Sequence, residues 1–227
     1  SFSTDRTENI CLEYARKVPL KFIKNEFRGH IDQKNFALSQ CSYDFVLSID
    51  ADEALTKELQ DSILSAKGLG FPAKCYKVNR LTRYVDHWVR HCGWYPDTKV
   101  RLVDRRLARW EGVNPHDTLK PRGDLTPALL NGDLLHYSYD SIEDHIQQTN
   151  RFTTIAARAA FERGQRATLW QVFTRGFFKF IRDYILKRGF LDGRYGFIIC
   201  FINGLAAMLK YAKLYELQRQ DNHSKKA

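Results

Sequence analysis

A short apolar run that ends in clustered carboxylates constrains this chain more than any other feature. Residues 45–49 read Phe-Val-Leu-Ser-Ile, show no polar alternation and are too few for a core helix, so they predict a buried strand. Asp50, Asp52 and Glu53 follow at once. Because chemistry in open α/β sheets is concentrated where strands end at their carboxyl side, we predict a functional site here.

The clustered acids of this D-x-D motif predict a metal ion. Three carboxylates at one strand end repel one another and are costly to desolvate unless a cation joins them. Carboxylate oxygens suit Mg²⁺ or Mn²⁺, particularly when a substrate phosphate completes the coordination. We therefore predict that Asp52 and Asp50 hold a divalent metal. The alternative is structural, with Asp52 or Glu53 capping a helix predicted over residues 55–66.

The positive charge of the chain is concentrated in its last third. The net charge is +10 for 227 residues. Residues 163–227 contain 13 Lys or Arg and 4 Asp or Glu, a net charge of +9. This asymmetry indicates that the C-terminal third contacts a polyanion or an anionic membrane surface.

The cysteines indicate the compartment. Five cysteines are scattered along the chain without a C-x-x-C pair. This pattern favours reduced thiols over a disulfide framework or a zinc site. Together with the polar residues at the start of the sequence, it leads us to expect a cytoplasmic protein without a signal peptide.

The first half of the sequence alternates between predicted helices and strands. Helical spacing of apolar residues predicts helices near residues 5–18, 32–41 and 55–66, and apolar runs predict strands over residues 20–23 and 44–49. This alternation indicates an α/β fold with a mostly parallel sheet flanked by helices. Alternating patterns predict further strands over residues 74–79, 99–103 and 108–111.

Several sequence blocks, in order, resemble family 2 glycosyltransferases with the GT-A fold. They are SFSTDRT (1–7), QKNFAL (33–38), LSIDADE (47–53), NRLT (79–82), GWYPD (93–97), RL (101–102) and GFLDG (189–193). The likeness is strongest to the lipopolysaccharide core glucosyltransferases of Gram-negative bacteria, and it covers nearly the whole chain. It implies an inverting enzyme that transfers a sugar, expected to be glucose, from a UDP-sugar to a lipid-linked acceptor in lipopolysaccharide core biosynthesis.

One departure from the family pattern concerns the start of the sequence. Members of the family begin with a strand–helix–strand unit of about 30 residues. This sequence starts at the block that follows that unit. We therefore expect it to be part of a longer protein, with much of the nucleobase pocket upstream of Ser1.

The resemblance implies a set of donor-binding residues. Asp5 would lie near the uridine, and Lys34 and Asn35 would contact the ribose or the phosphates. Asp50 would also serve the donor. Asp52 would be the direct metal ligand, because family 2 members commonly use the second acid of the D-x-D motif in this role. Lys34 supplies a point charge for a diphosphate, and the Asn35 amide both donates and accepts hydrogen bonds. In the alternative interpretation, Asp5 only caps a helix and Lys34 is a solvated helix residue.

The resemblance also implies a catalytic base and a further ligand. Residues 113–117 stand where the family carries a His-acid pair, usually His-Glu. Because inverting transfer needs a carboxylate to deprotonate the acceptor hydroxyl, Asp117 is the predicted base, and His116 would orient it or contact phosphate. His136 lies in another block typical of the family and is predicted to bind the metal or the diphosphate. For His116 and Asp117, the alternative is that residues 115–117 form a plain turn. For His136, the alternative is an ordinary half-buried histidine without a ligand.

A segment rich in arginine and aromatic residues, 80–96, indicates acceptor binding. Aromatic rings cover the faces of pyranose sugars, and arginine forks bind phosphates. Ordinary packing of the aromatic residues is the alternative. The predicted acceptor-binding residues are Arg80, Arg90, Trp94, Arg101 and His116.

Residues 1–140 are predicted to form the catalytic domain, and residues 141–227 a basic amphipathic helical region. Within it, residues 169–186 combine aromatic and basic side chains. Residues 197–209 are nearly all apolar, but these 13 residues are too few to span a bilayer, which needs about 20. We expect this region to lie on the inner face of the cytoplasmic membrane and contact anionic lipid. The alternative, compatible with the first, is that these helices pack on the catalytic domain or form a homo-oligomer.

Two other classes of function use some of the same features. A metal-dependent phosphotransferase or nucleotidyltransferase also employs clustered aspartates, although the sequence contains no G-x-x-x-x-G-K phosphate loop. A basic nucleic-acid-binding protein would account for the charge. Because that charge lies among long apolar and aromatic stretches, we expect no nucleic acid partner.

Overall fold

The computed structural model describes residues 2–113 and 116–224. Helices and strands both contribute to the fold, which confirms the predicted α/β class. The chain divides into two compact units, each built from three segments. The first unit comprises Ser1–Ile49, Glu58–Val78 and Thr98–Gly132, and the second comprises Asp50–Lys57, Asn79–Asp97 and Asp133–Ala227.

The regular elements follow one another along the described chain. The helices are α1 (Thr7–Ala15), α2 (His30–Ser39), α3 (Lys57–Gly68), α4 (Ile142–Glu162), α5 (Leu169–Ile181) and α6 (Gly193–Ser224). The strands are β1 (Phe45–Leu47), β2 (Glu53–Leu55), β3 (Cys75–Tyr84), β4 (His87–Val89), β5 (Asp97–Asp104), β6 (Ala108–Val113), β7 (His116–Pro121) and β8 (Ala128–Tyr139). A π-helical turn (Arg182–Leu186) and a 3₁₀ turn (Gly189–Asp192) connect α5 to α6.

In the first unit, a small core lies beneath β1, β5 and the β6–β7 hairpin. β1 pairs antiparallel with β5, and β6 pairs antiparallel with β7. Ala108 and Trp110 alternate along β6 and so share one face, and Leu38 of α2 packs with them. Its buried members are Leu38, Cys75, Val103, Ala108, Trp110 and Leu119.

In the second unit, β2 pairs antiparallel with β8, and β4 pairs antiparallel with β3. The three long helices carry two further cores, one around Tyr84 and Ile199 and one around Ala157 and Leu214. Side-chain caps fix where α4 and α5 begin. Ser141 accepts a hydrogen bond from the Asp144 N–H over 3.0 Å, and Thr168 forms a capping box with Gln171.

The strand pairings differ in one respect from the sequence analysis, which predicted a mostly parallel sheet. The pairings β1–β5, β2–β8, β3–β4 and β6–β7 are all antiparallel. The predicted strand over residues 20–23 has no regular secondary structure. The parallel strand–helix–strand unit inferred from it is therefore not formed by these residues, and β1 pairs with β5.

The start of α3 excludes the capping interpretation of the acidic cluster. α3 begins at Lys57, after the short strand β2. Glu53 lies in β2, and Asp52 lies in the turn before it. Neither residue therefore occupies the N-cap position of α3.

The apolar segment near the C-terminus forms part of a much longer helix than the 13 residues singled out in the sequence. The helical stretch Gly189–Asp221 is long and apolar enough to cross a membrane by length and composition. The statement that this region is too short to span a bilayer was therefore wrong, because flanking residues of moderate polarity extend the helix. Length and composition do not by themselves distinguish a spanning helix from a packed one, and α6 packs against both α4 and α5.

Candidate active site

Two neighbouring strands of the second unit bring an aspartate and a histidine together. The β2–β8 register places Glu53 opposite His136, and the Tyr137 N–H donates to the Asp52 carbonyl oxygen over 2.9 Å. In consequence, His136 Nε2 lies 3.2 Å from Asp52 Oδ2. The Asp52 side chain is 50% exposed and the His136 side chain 15% exposed, so a ligand can reach the carboxylate while the imidazole is held by its surroundings.

The third acid of the cluster stabilises the turn between β1 and β2. The Glu53 N–H donates to the Asp50 carbonyl oxygen over 3.0 Å, and the Asp50 N–H donates to Glu53 Oε2 over 2.9 Å. The Glu53 side chain is fully buried, and its Oε1 lies 3.9 Å from an Arg80 Nη1. Because a buried carboxylate needs such partners, we assign Glu53 a structural role in shaping the D-x-D turn.

Arg80 joins two carboxylates in this site. Its Nε and Nη2 donate to Asp97 Oδ2 over 3.0 and 2.7 Å, and its Nη1 faces Glu53. A cavity of about 320 Å³ opens beside it, lined among others by Arg80, Trp94, Asp97 and His136. The guanidinium is therefore held in place at the wall of a cavity that also contains His136.

Burial keeps His136 neutral. Burial is the main cause that lowers the pKa of His136, and the positive charge of Arg80 adds to it, while Asp52 and Glu53 act in the opposite direction. Its Nδ1 is buried and has no hydrogen-bond partner within the part of the chain that the structure describes. A neutral imidazole next to a carboxylate is the protonation state that metal ligation requires.

The described residues could supply only part of the coordination of a divalent ion. Among the described residues, no group of three or more His, Cys, Asp or Glu side chains is placed to hold one metal. An ion at Asp52 and His136 would therefore need further ligands from a substrate and from water. Mg²⁺ and Mn²⁺ suit this arrangement, since Mg²⁺ sites usually combine one or two carboxylates with substrate phosphates and water.

A second polar cluster lies in the first unit, around Trp110. Lys34 Nζ lies 2.9 Å from Asp117 Oδ2 and 4.3 Å from the centre of the Trp110 ring. The guanidinium carbon of the buried Arg101 lies 5.8 Å from the same ring centre. The ion pair and the cation–π contact fix Lys34 on one side of the indole. The structure thus brings together Lys34, Asp117 and Arg101, which the sequence assigned to three different roles.

Two of the predicted donor-binding residues make structural contacts. The Asn35 side chain donates to the Trp110 carbonyl oxygen over 2.9 Å and accepts from the Trp110 N–H over 3.0 Å, so it holds α2 against β6. Asp5 accepts from the Thr7 N–H over 3.0 Å at the start of α1. Hydrogen bonds from Thr7 lower the pKa of Asp5. The N-cap position of α1 is Arg6, so Asp5 bonds to the backbone one residue before the N-cap and is not itself the cap.

The remaining predicted acceptor residues lie in the second unit, apart from His116, whose side chain lies outside the described residues. Arg90 lies over the Tyr95 ring at 5.6 Å, and its Nη1 is 3.9 Å from Asp133. Trp94 packs against Tyr139, with ring centres 5.6 Å apart. Trp94 therefore combines a packing role with a position on the cavity wall.

Comparison with known proteins decides the family. The profile described as "Glycosyl transferase family 2" matches residues 1–68. The chain is 30% identical over 224 residues to an uncharacterized glycosyltransferase, RT0209, of Rickettsia typhi, covering 95% of the chain and 75% of the relative. It is 30% identical over 232 residues to an uncharacterized glycosyltransferase of Rickettsia bellii, covering 98% and 77%. The chain belongs to glycosyl transferase family 2.

A further relative has a more specific name. The chain is 27% identical over 223 residues to the lipopolysaccharide core biosynthesis glycosyltransferase LpsC of Rhizobium meliloti, covering 95% of the chain and 80% of the relative. The resemblance identified from the sequence blocks is thereby confirmed, and family 2 membership implies the GT-A fold. The chain spans about three quarters or more of each of these relatives.

The sequence analysis did not propose a role in the candidate site for three residues of the two polar clusters described above. Trp110 lies at the centre of the polar cluster of the first unit. The sequence feature that could have identified it is a single tryptophan in a short stretch of alternating polar and apolar residues. Asp97, which binds Arg80, ends the GWYPD block, a pattern that by itself indicates no role for the aspartate. Glu53 belongs to the acidic cluster of residues 50–53. The sequence alone does not distinguish this acid, which stabilises the turn, from Asp50 and Asp52, the proposed ligands.

Proposed function

We propose that this family 2 glycosyltransferase moves a hexose, with glucose as the expected sugar, from a UDP-sugar to a lipid-linked saccharide of the lipopolysaccharide core. The observation that carries the proposal is the Asp52–His136 pair, a half-exposed carboxylate beside a neutral, buried imidazole. The name of the relative LpsC supports the choice of acceptor class. Lipid-linked acceptors also agree with the basic, aromatic C-terminal helices.

Asp52 and His136, with Asp50, would hold Mg²⁺ or Mn²⁺ together with the donor diphosphate. When bound, the ion stabilises the negative charge that develops on the leaving group. Glu53 supports this arrangement by holding the backbone of the D-x-D turn. The neutral state of His136 means that a metal does not have to displace a proton from it near pH 7.

In the first unit, Lys34 and Asp117 are proposed to serve the donor and the acceptor hydroxyl. Asp117 takes the proton of the acceptor hydroxyl. At the same time the hydroxyl oxygen forms a bond to C1 of the sugar, and the bond from C1 to the diphosphate breaks, which releases UDP. Lys34 Nζ lies 2.9 Å from Asp117 Oδ2, and this ion pair holds the carboxylate in position. Lys34 is one of four proposed donor-binding residues, with Asp5, Asn35 and Asp50.

Acceptor binding is proposed for the residues with cationic or aromatic side chains. Arg80 and Arg90 lie near Asp97 and Asp133 respectively, so their orientations are set before any substrate binds. Arg101 is held beside Trp110, and Trp94 presents a ring to the cavity beside His136. His116 completes the proposed set.

The helix α5 supports peripheral binding to the inner face of the cytoplasmic membrane. Trp170, Phe173 and Phe178 are 76%, 62% and 66% exposed. The sequence of α5 contains Arg175 and Lys179 and no acidic residue. Exposed rings on an amphipathic helix with only basic charges suit the interface of an anionic bilayer. Association of two copies through these helices remains a further prediction.

Product analysis tests this function. The full-length protein is incubated with Mn²⁺, UDP-[¹⁴C]glucose and a lipopolysaccharide truncated in its core. The proposal predicts labelled lipopolysaccharide and an equal amount of UDP. Transfer of glucose 1-phosphate with release of UMP would instead indicate the phosphotransferase alternative, and transfer of the uridylyl group with release of glucose 1-phosphate would indicate the nucleotidyltransferase alternative. A salt-dependent shift of RNA or DNA without any sugar transfer would favour a nucleic-acid-binding protein.

A further inference from the structure

A second cavity of the second unit lies between α4, α5 and α6. Its volume is about 510 Å³, which is within the range of about 300–1,000 Å³ typical of small-molecule sites. Trp94 and Tyr139 form part of its wall, and Phe152 of α4 lies on its rim. None of the residues assigned to donor or metal binding contributes to it.

This cavity shares two residues with the one that contains His136. Trp94 and Tyr139 line both, and their rings pack at 5.6 Å between centres. The Tyr139 hydroxyl donates to Gln148 Oε1 of α4, so the ring is held where it separates the two spaces. A molecule in the helical cavity would therefore lie one aromatic layer from the candidate active site.

The lining of the helical cavity combines apolar surface, amides and positive charge. Gln148 and Asn203 present side-chain amides, and Lys179 and Lys210 present amines. No acidic side chain is among the residues that line it in the described part of the chain. The buried Asp183 pairs with Lys179 and with Arg182, while Lys210 lies 5.6 Å from the Tyr211 ring. Because Lys179 is paired with Asp183, Lys210 is the lining residue that contributes net positive charge to the cavity.

We propose that this helical cavity binds a phosphorylated sugar of the acceptor. Aromatic walls cover the apolar face of a pyranose ring, amides bind its hydroxyls, and Lys210 binds its phosphate. The acceptor is thus held by the helical region while its reacting hydroxyl lies on the far side of the Trp94–Tyr139 pair. The inference rests on the proposed function, because it names a binding site for the acceptor of that transfer.

Two variants test the site by different means. Lys210→Gln removes a positive charge, and Ala207→Phe fills part of the cavity. The acceptor probes are a deacylated core oligosaccharide with its phosphates and the same oligosaccharide after phosphatase treatment. For Lys210→Gln we expect KM for the phosphorylated probe to rise about tenfold, as the loss of one charge-assisted hydrogen bond predicts, with no change for the dephosphorylated probe. Ala207→Phe should raise KM for both probes.

Arg158→Gln is the matched control for Lys210→Gln, because Arg158 is exposed on α4 and does not line the cavity. Ala212→Phe on α6 is the matched control for Ala207→Phe, because Ala212 does not line the cavity. Hydrolysis of UDP-glucose by water and binding of UDP report on the donor side and should be unchanged in every variant. Unchanged KM values in both cavity variants, or a Lys210→Gln effect that does not depend on phosphate, would overturn the inference while leaving the proposed function intact. A wild-type protein that neither transfers nor hydrolyses the donor would overturn both.

Discussion

His136 Nε2 lies 3.2 Å from Asp52 Oδ2, and the pairing of β2 with β8 fixes that distance. Each residue is held by backbone hydrogen bonds of a sheet, so the pair is formed before any ligand arrives. Asp52 remains half exposed, whereas burial and Arg80 keep His136 neutral. The arrangement places an anionic and a neutral side chain next to each other, and these are the two side chains that we propose as metal ligands.

The proposed base is tested by Asp117→Asn. An amide cannot accept the proton of the acceptor hydroxyl, so we expect kcat to fall by about 10²–10⁴-fold, the usual contribution of a general base, with little change in UDP affinity. Glu111→Gln is the matched control, since Glu111 forms a long ion pair with Lys120 on the same hairpin. Normal turnover with weakened UDP binding would make Asp117 a donor-binding residue.

The membrane surface is tested by replacing Trp170 and Phe177 of α5 with serine. Burying such rings stabilises association by about 1.5–3 kcal/mol each, so binding to vesicles that contain phosphatidylglycerol should weaken by at least about tenfold. Leu64→Ser with Leu69→Ser removes two exposed apolar side chains from the first unit and should leave binding unchanged. If vesicle binding persists in the α5 variant while a dimer dissociates, this face binds a second copy.

His145 makes the folded protein sensitive to acid. Burial lowers the pKa of His145 from 6.5 to about 4, and its Nδ1 lies 3.1 Å from the Tyr84 hydroxyl. Between these pKa values the unfolded chain binds more protons than the folded one, so stability decreases as the pH falls from 6.5 to 4. The loss from this group approaches about 3 kcal/mol.

Thermal melts of His145→Gln and wild type across this pH range measure the effect. The variant should show a flatter dependence on pH, because its side chain does not titrate. His30→Gln, at an exposed site, should retain the wild-type profile. Parallel profiles for wild type and His145→Gln would show that His145 does not set the acid sensitivity.

Close backbone packing near the start of α6 makes Gly196→Ala destabilising. An added Cβ would overlap the carbonyl oxygen of Gly189, and backbone cannot move aside as a flexible side chain can. We expect a loss of about 1–3 kcal/mol in the free energy of unfolding, measured by urea denaturation. Gly68→Ala is the control. Gly68 is the last residue of α3, and a Cβ added there would meet open space, so this variant should be neutral or more stable by up to about 1 kcal/mol. Equal stability of the two variants would contradict the packing argument.

The sequence predicted the family, the α/β class and the acidic turn, because each depends on local pattern. Asp52 and His136 were both identified as candidates from the sequence. Their contact depends on the register between β2 and β8, and local sequence patterns do not predict how strands distant in sequence pair. The parallel sheet was inferred from a strand over residues 20–23 that does not form. Asn35 shows the same limit, since its amide binds the backbone of Trp110, far away in sequence.

The most direct test of the proposed metal site is a thermal melt of the full-length protein with UDP, with and without Mn²⁺, for wild type and Asp52→Ala. At about 100 times the dissociation constant, UDP should stabilise by about 2.7 kcal/mol, or roughly 5–11 °C for a domain of this size. We predict this rise only with Mn²⁺, its loss in Asp52→Ala, and its retention in the control Asp124→Ala. The same rise in Asp52→Ala, or a rise that does not require Mn²⁺, would contradict the assignment.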